Sequence, residues 1–358
     1  MYREHTIGVV VPAYNEEGLI SDVIWTMPDY VDWIYAIDDC STDGTWEEIQ
    51  HAAHEDAIET EGGGQIGRER ALQSVRADGG VGDLLTDRAR IHSPIGRVVP
   101  IQHRENMGAG GAIKTGYLAA LKDELDITVT MDGDGQMDPN QMVKLLDPLV
   151  EDAADYAKGN RLLYREYREG MSNFRFLGNS ILTFLTKIAS GYWKTMDPQN
   201  GYTAITHYAL ESADIENMYE YYGYCNDLLV KLNARNLRVA DVAMPAIYGE
   251  EASSIRYPTY IRKVSGMLLR NYLWRLKVKY LVMDFHPLAF FYIFGVSTMT
   301  LGMVGGLWSI YVKFLLDGAL FVRASLSMML FLIGSLFLLF AMLFDMQVNK
   351  DYEVQIHE

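Results

Sequence analysis

The sequence predicts an α/β protein: a mostly parallel sheet in the N-terminal two thirds, then an interfacial helix and a two-helix transmembrane hairpin. Three observations carry this. Short β-branched runs alternate with helical segments through acidic or glycine-rich loops, the pattern of βαβ units. Between Arg256 and Lys279 lie seven basic residues and no acidic one. Beyond them residues 287–312 and 324–344 are uncharged, runs of 26 and 21 residues, and each can cross a hydrocarbon core of ~30 Å. The expected organisation is an α/β domain over 1–250 with an insertion at 58–96. A basic membrane-interface segment follows over 251–286, then two spans over 287–346 and a tail over 347–358.

Charge narrows the function classes. The 358 residues include 31 Lys+Arg and 47 Asp+Glu, a net charge of −16, which argues against a nucleic-acid partner. Residues 251–358 carry ten basic and seven acidic side chains, and residues 1–250 carry 21 and 40. The basic run flanks the first span, so the positive-inside rule places residues 1–286 in the cytoplasm. Two spans return the tail to that side, giving a multi-pass protein of the cell membrane. The N-terminus enters a strand directly, without the pattern of a signal peptide. Two cysteines, Cys40 and Cys225, provide neither a disulfide framework nor zinc spacing and are expected as free thiols.

The elements follow in order. Residues 6–12 are nearly all apolar and close on Pro12, as in a strand buried on both faces. A loop over 13–17 leads to a helix over 18–27, and 33–37 is a second strand. Thr45 can cap a helix over 46–53, with Glu48 completing a capping box. Residues 58–96 interrupt the alternation with Gly62-Gly63-Gly64 and Gly79-Gly80, and hold one short helix over 68–75. Strand 97–102 leads into Asn106-Met107-Gly108-Ala109-Gly110-Gly111, a turn that can present backbone N–H groups to an anion or serve close packing. A helix runs on to 122, then a strand over 127–131. Pro139 begins the next helix. Residues 156–161 form a strand and 173–190 an amphipathic helix with Arg175 and Asn179 on one face. A turn over 197–202 precedes strand 203–206, helix 226–234 and a final strand over 238–245. Ile261, Val264, Leu268, Tyr272 and Leu276 keep helical spacing within the basic run, the pattern of a helix on a membrane surface.

The most informative stretch is Val129-Thr130-Met131-Asp132-Gly133-Asp134-Gly135-Gln136. Strand alternation would put both aspartates on one side. Two carboxylates that close repel unless a cation sits between them, and hard oxygen donors suit Mg²⁺ or Mn²⁺ bridging to phosphates. Alone, the same residues could form a plain acidic turn.

Four pieces in order change that balance: Val11-Pro12-Ala13-Tyr14-Asn15-Glu16-Glu17, Asp38-Asp39-Cys40-Ser41-Thr42-Asp43-Gly44-Thr45, Asn106-Met107-Gly108 with Gly110-Gly111, and Asp132-Gly133-Asp134-Gly135-Gln136. Their order and spacing resemble the family 2 glycosyltransferases of GT-A fold. Gly159-Asn160-Arg161, Asp197-Pro198-Gln199-Asn200-Gly201-Tyr202 and Pro245-Ala246-Ile247-Tyr248 resemble its polyprenyl-phosphate branch, typified by dolichol-phosphate mannose synthase. The chain departs from the pattern in the 58–96 insertion and at Cys40, where the family usually carries Gly or Asn. The resemblance implies a nucleotide-sugar donor, a polyprenyl or dolichyl phosphate acceptor and an inverting transfer. It implies that Pro12, Tyr14, Glu16, Asp39, Lys114 and Asp132 bind the nucleotide sugar. Asp132 and Asp134 would hold the metal with Gln136 a third ligand, and Arg161 and Arg175 would pair with phosphates. From position alone, Ser254 and Arg256 are expected to grip a lipid phosphate at the interface.

Charge develops on the leaving diphosphate, so Asp134 and its cation are the main expected catalysts. A phosphate acceptor needs little general base. A hydroxyl acceptor on a lipid-linked glycan would need one, for which Asp227 and Asp197 are candidates, although Asp227 could instead cap its helix. The remaining alternative is a non-catalytic nucleotide-sugar-binding membrane scaffold.

Overall fold

The computed structural model describes residues 1–60, 81–162, 173–245, 257–316 and 318–356. Nine strands among them form one sheet: β1 (Ile7–Ala13), β2 (Trp33–Asp38), β3 (Ala89–Ile91), β4 (Val98–His103), β5 (Ile127–Thr130), β6 (Tyr156–Asn160), β7 (Thr203–Thr206), β8 (Val239–Ala243) and β9 (Glu353–Ile356). Their order is β3-β4-β2-β1-β5-β7-β6-β8-β9. β3 and β7 pair antiparallel with their neighbours, and the remaining pairings are parallel. The carboxyl ends of β1, β2, β4, β5, β6 and β8 therefore open on one edge, where open α/β sheets bind ligands. Because β7 is reversed, the segment before it reaches the same edge.

The apolar runs predict burial on both faces, and the helices supply it. α1 (Ile20–Trp25), α2 (Thr45–Thr60) and α5 (Met142–Val150) lie in chain order with α3 (Val81–Arg88), α4 (Ala109–Lys122), α6 (Asn173–Ser190), α7 (His207–Ser212) and α8 (Tyr224–Ala234). Val9 and Val11 pack into one core with Ile24, Ile49 and Leu145. Val10, one residue out of phase, packs into the other with Ile113, Tyr117 and Leu228. The α/β class with two apolar C-terminal helices is as expected.

Several local expectations need correction. The capping box does not form. Thr45 is already helical and its hydroxyl donates to Asp43 Oδ1 (2.6 Å). Glu48 reaches across instead and accepts from the Gly18 N–H (2.6 Å), because that loop has its own unpaired amides. The segment read as an insertion is partly sheet: α3 and the edge strand β3 cover 81–91, and β3 pairs with β4. The helix expected over 68–75 lies outside the described residues. The strand over 238–245 is not the last, because the supposed tail forms β9, parallel to β8. A four-residue strand after the apolar hairpin offers little periodicity to read.

The basic segment is also more than a membrane surface. α9 (Tyr257–Lys277) and a π-helical turn (Val278–Met283) precede α10 (Leu288–Leu316) and α11 (Phe321–Asn349). Both long helices are long and apolar enough to cross a membrane and remain mostly exposed. They touch through small residues: a Cβ at Gly302 would meet Phe331 N at 2.4 Å, and one at Gly334 would meet Met299 N at 2.3 Å. Among the described basic residues of this run, two are buried within the protein. Arg275 pairs with Asp345 of α11 (Nη2–Oδ2 2.8 Å, Nη1–Oδ1 3.0 Å). Lys279 donates to Asn233 O and Oδ1 and to Asn349 Oδ1 (2.9, 3.0 and 2.7 Å). Arg262, Lys263, Arg270 and Lys277 are exposed, as a surface reading requires.

Candidate functional site

β5 ends at Thr130, so Asp132 and Asp134 lie in the turn beyond it, and strand alternation is not what brings them together. The turn is stitched to β1: Met131 N–H donates to Val10 O (3.0 Å) and Gly133 N–H to Pro12 O (3.2 Å). Gly133 is required there, since a Cβ would sit 2.9 Å from Pro12 O. Asp134 Oδ1 accepts the Gln136 N–H (2.9 Å). Burial, with Asp134 beside it, pushes the Asp132 pKa up to about 7 against the pull of Arg161. A cation is the ordinary remedy for such a pair. Among the described residues no three His, Cys, Asp or Glu side chains gather as a closed metal site. Two hard-oxygen donors at an open edge fit a cation that shares its remaining positions with a substrate's oxygens.

Opposite them stands an ion pair. Arg161, just past β6, holds Asp197 through Nε (2.7 Å), Nη2 (3.0 Å) and its backbone N–H (3.1 Å). Burial works to raise the Asp197 pKa, but Arg161 brings it below the usual carboxylate range. Asp197 therefore stands as an engaged carboxylate. Gly201 lets Asp132 approach, because a Cβ there would lie 3.2 Å from the Asp132 carboxylate and 3.1 Å from the Tyr224 hydroxyl.

The loops after β1 and β2 form the other side. Asn15 Oδ1 accepts the Thr42 N–H (2.8 Å), the Asn15 N–H donates to Ser41 Oγ (3.0 Å), and the Glu16 N–H donates to Thr45 Oγ1 (2.8 Å). Tyr14 is 47 % exposed at this mouth, with Pro12 and Glu16 partly buried beside it. Cys40 takes φ 61°, a left-handed backbone, which explains the Gly or Asn expected there. Asp39 is buried with both oxygens engaged by Met107 N–H (2.8 Å), Gly108 N–H (2.8 Å) and His103 Nδ1 (2.7 Å). The glycine-rich turn thus gives two of its amides to an internal carboxylate, and of its two readings close packing is visible at Gly110 and Gly111, where a Cβ would lie 2.7 Å from Tyr219 O and 2.5 Å from Met107 Cβ. Lys114 is buried and bound to Glu220 (2.8 Å), which also pairs with Arg88 (2.7 Å).

Asp227, in the first turn of α8, is buried. Its oxygens accept Tyr219 N–H (2.9 Å) and Asn271 Nδ2 (2.5 Å), and burial raises its pKa. It bolts the 219–221 loop to α9 and does not cap its own helix. The backbone of Arg175 lies in α6, while its side chain, with Ser254 and Arg256, falls outside the described residues. Sequence reasoning missed Arg88, His103 and Glu220. The pairings of His103 with Asp39 and of Arg88 with Glu220 join positions 64 and 132 residues apart, and no local spacing marks them.

The Glycosyl transferase family 2 model matches residues 8–70 and 85–213. A relative from Methanococcus voltae, UDP-N-acetylglucosamine–dolichyl-phosphate N-acetylglucosaminyltransferase, is 27 % identical over 245 residues, covering 68 % of this chain and 86 % of the relative. An uncharacterised protein of Methanocaldococcus jannaschii is 29 % identical over 157 residues, covering 44 % and 64 %. Among solved structures, glucosyl-3-phosphoglycerate synthase from Mycobacterium tuberculosis with uridine diphosphate is 20 % identical with a TM-score of 0.48, covering 76 % of this chain and 80 % of that one.

Proposed function

Because the chain belongs to glycosyl transferase family 2, we propose that this glycosyltransferase moves a sugar from a nucleotide diphosphate donor to a polyprenyl or dolichyl phosphate at the cytoplasmic face of a membrane, with inversion. The observation that carries the reading is the Asp132–Asp134 pair facing Arg161 on the ligand-binding edge of the sheet. The M. voltae relative, named for transfer to dolichyl phosphate, supports the acceptor class. The two long apolar helices support the membrane setting.

Pro12, Tyr14 and Glu16 line the base and ribose, with Tyr14 free to stack. Asp39, through its amide and His103 contacts, and Lys114, through Glu220, shape that wall from behind. Mg²⁺ or Mn²⁺ held by Asp132 and Asp134, with Gln136 beside them, would neutralise charge on the leaving diphosphate. Arg161, oriented by Asp197, takes an acceptor phosphate oxygen, and Arg175, Ser254 and Arg256 are proposed as further phosphate contacts. A phosphate monoester is already an anionic nucleophile, so Asp197 and Asp227 serve as holders and not as bases. α9 runs from this edge, where Gln199 Nε2 donates to the Tyr260 hydroxyl (3.0 Å), to the root of the hairpin at Arg275. Its exposed Leu269 and Leu273 offer an apolar path between the two.

The test is a panel of radiolabelled nucleotide sugars, UDP-N-acetylglucosamine first, added to membranes containing the protein with polyprenyl phosphate. Label entering the organic phase supports the reading. Label entering only when a lipid-linked sugar replaces the bare phosphate refutes it in favour of a hydroxyl acceptor.

A further inference from the structure

The five residues that end at Asp197 run along the sheet toward the site edge, and a charged side chain holds every step. The N–H groups of Trp193, Lys194 and Thr195 all donate to the Glu353 carboxylate (2.8, 2.5 and 2.9 Å). The Met196 N–H donates to Asp241 Oδ2 (2.8 Å), and the Met196 carbonyl accepts from Lys158, itself paired with Asp241 (2.6 Å). Asp197 then turns left-handed (φ 46°) and grips Arg161. The register gives the direction. Glu353 pairs with Val239 at the start of β8, Asp241 lies at its middle, and Ala243 pairs with Asn160 at the site edge. Two further bonds seal the tail to this segment: Lys194 Nζ to Lys350 O (3.1 Å) and Gln355 Nε2 to Lys194 O (3.3 Å).

Aspartate tolerates the left-handed region better than most residues, but a turn fixed there still depends on its surroundings to hold it. Here they do so from below, through a buried carboxylate beyond the second apolar helix. We propose that Glu353 is a positioning residue: it anchors the 193–197 segment so that Asp197 presents Arg161 to the acceptor phosphate. The strand after the membrane hairpin thereby completes the site from 156 residues downstream of Asp197. This rests on the reading of Arg161 as a phosphate-binding residue.

The experiment compares full-length wild type, Glu353→Ala, Glu353→Gln, Arg161→Ala and the double variant Glu353→Ala/Arg161→Ala in membranes. One readout is hydrogen exchange at the Arg161 amide, which bonds Asp197 and does not touch Glu353. The other is kcat/KM for polyprenyl phosphate. Glu353→Ala should speed Arg161 exchange at least tenfold and lower kcat/KM at least tenfold, with nucleotide affinity unchanged within twofold. Glu353→Gln, which keeps one acceptor oxygen, should fall between. The double variant should be no worse than Arg161→Ala alone, since the two act in series. Unchanged Arg161 exchange, or losses that multiply in the double variant, would overturn the proposal. If Glu353→Ala does not accumulate, Glu353→Gln carries the same comparisons. A wild type that never uses polyprenyl phosphate would sink the proposed function, and amide exchange alone would then decide whether Glu353 positions Arg161.

Discussion

Replacing Asp345 by Ala should loosen the hairpin from the catalytic domain. Arg275 is fully buried and Asp345 is 1 % exposed, so the variant leaves a guanidinium without its counter-charge. Breaking a buried pair by removing one partner costs about 3–5 kcal/mol. Arg275 would keep Asn233 Oδ1 (3.1 Å) and the Ile188 carbonyl (3.3 Å), which places the cost near the lower end, about 3 kcal/mol. At about 2 °C per kcal/mol for a chain of this size, the apparent Tm in detergent should fall by about 6 °C. Replacing both partners, Arg275→Met with Asp345→Leu, removes the desolvation cost along with the attraction. That double variant should recover at least half of the single loss. Single losses below about 1 kcal/mol, the range of a surface pair, or additive losses in the double variant, would refute the view that this pair ties the two parts together.

Three other predictions follow from the same geometry. Cys40 is exposed, whereas Cys225 is buried with its thiol pKa pushed up to about 12. Alkylation should therefore be confined to Cys40, and uridine diphosphate with Mg²⁺ should slow it at least fivefold; no protection would remove the 39–45 loop from the nucleotide site. Burial, reinforced by Arg275, pushes the Lys279 pKa down to about 7. A lysine with a depressed folded pKa contributes stability at high pH that is lost as pH falls toward 7, so wild type should gain up to about 2 kcal/mol on a Lys279→Met variant between pH 7 and 9. A flat difference across that range of melts would contradict it. Gly302→Val would drive a side chain into the Phe331 backbone, and the resulting overpacking should cost about 1–3 kcal/mol, visible as easier proteolytic cleavage between the two apolar helices. Cleavage at the wild-type rate would mean that the helices do not meet there.

The parts of this molecule that were legible in its sequence are those with local signatures. Val9, Val10 and Val11 announce a strand buried on both faces, and the uncharged runs announce the long helices. The turn Asp132-Gly133-Asp134 marks a candidate site in the sequence, although what fixes it is the stitching to β1 and not strand alternation. What stayed hidden is long-range. Arg275 and Lys279 look like any other member of a basic stripe until Asp345 and Asn349 fold back on them. Glu353 sits in a short polar tail whose value depends on amides 158 to 160 residues earlier. Asp39 and the glycine-rich turn stand out separately in the sequence as candidates, and only the fold shows that each satisfies the other.

The most direct measurement is the mass of the lipid product formed from polyprenyl phosphate and the preferred nucleotide sugar, by wild type and by Asp134→Asn. The account predicts a glycolipid with a single phosphate between sugar and polyprenol, released by mild acid, and at least a hundredfold less of it from the variant. A product with two phosphates, a sugar joined to another sugar, or undiminished transfer by Asp134→Asn would contradict it.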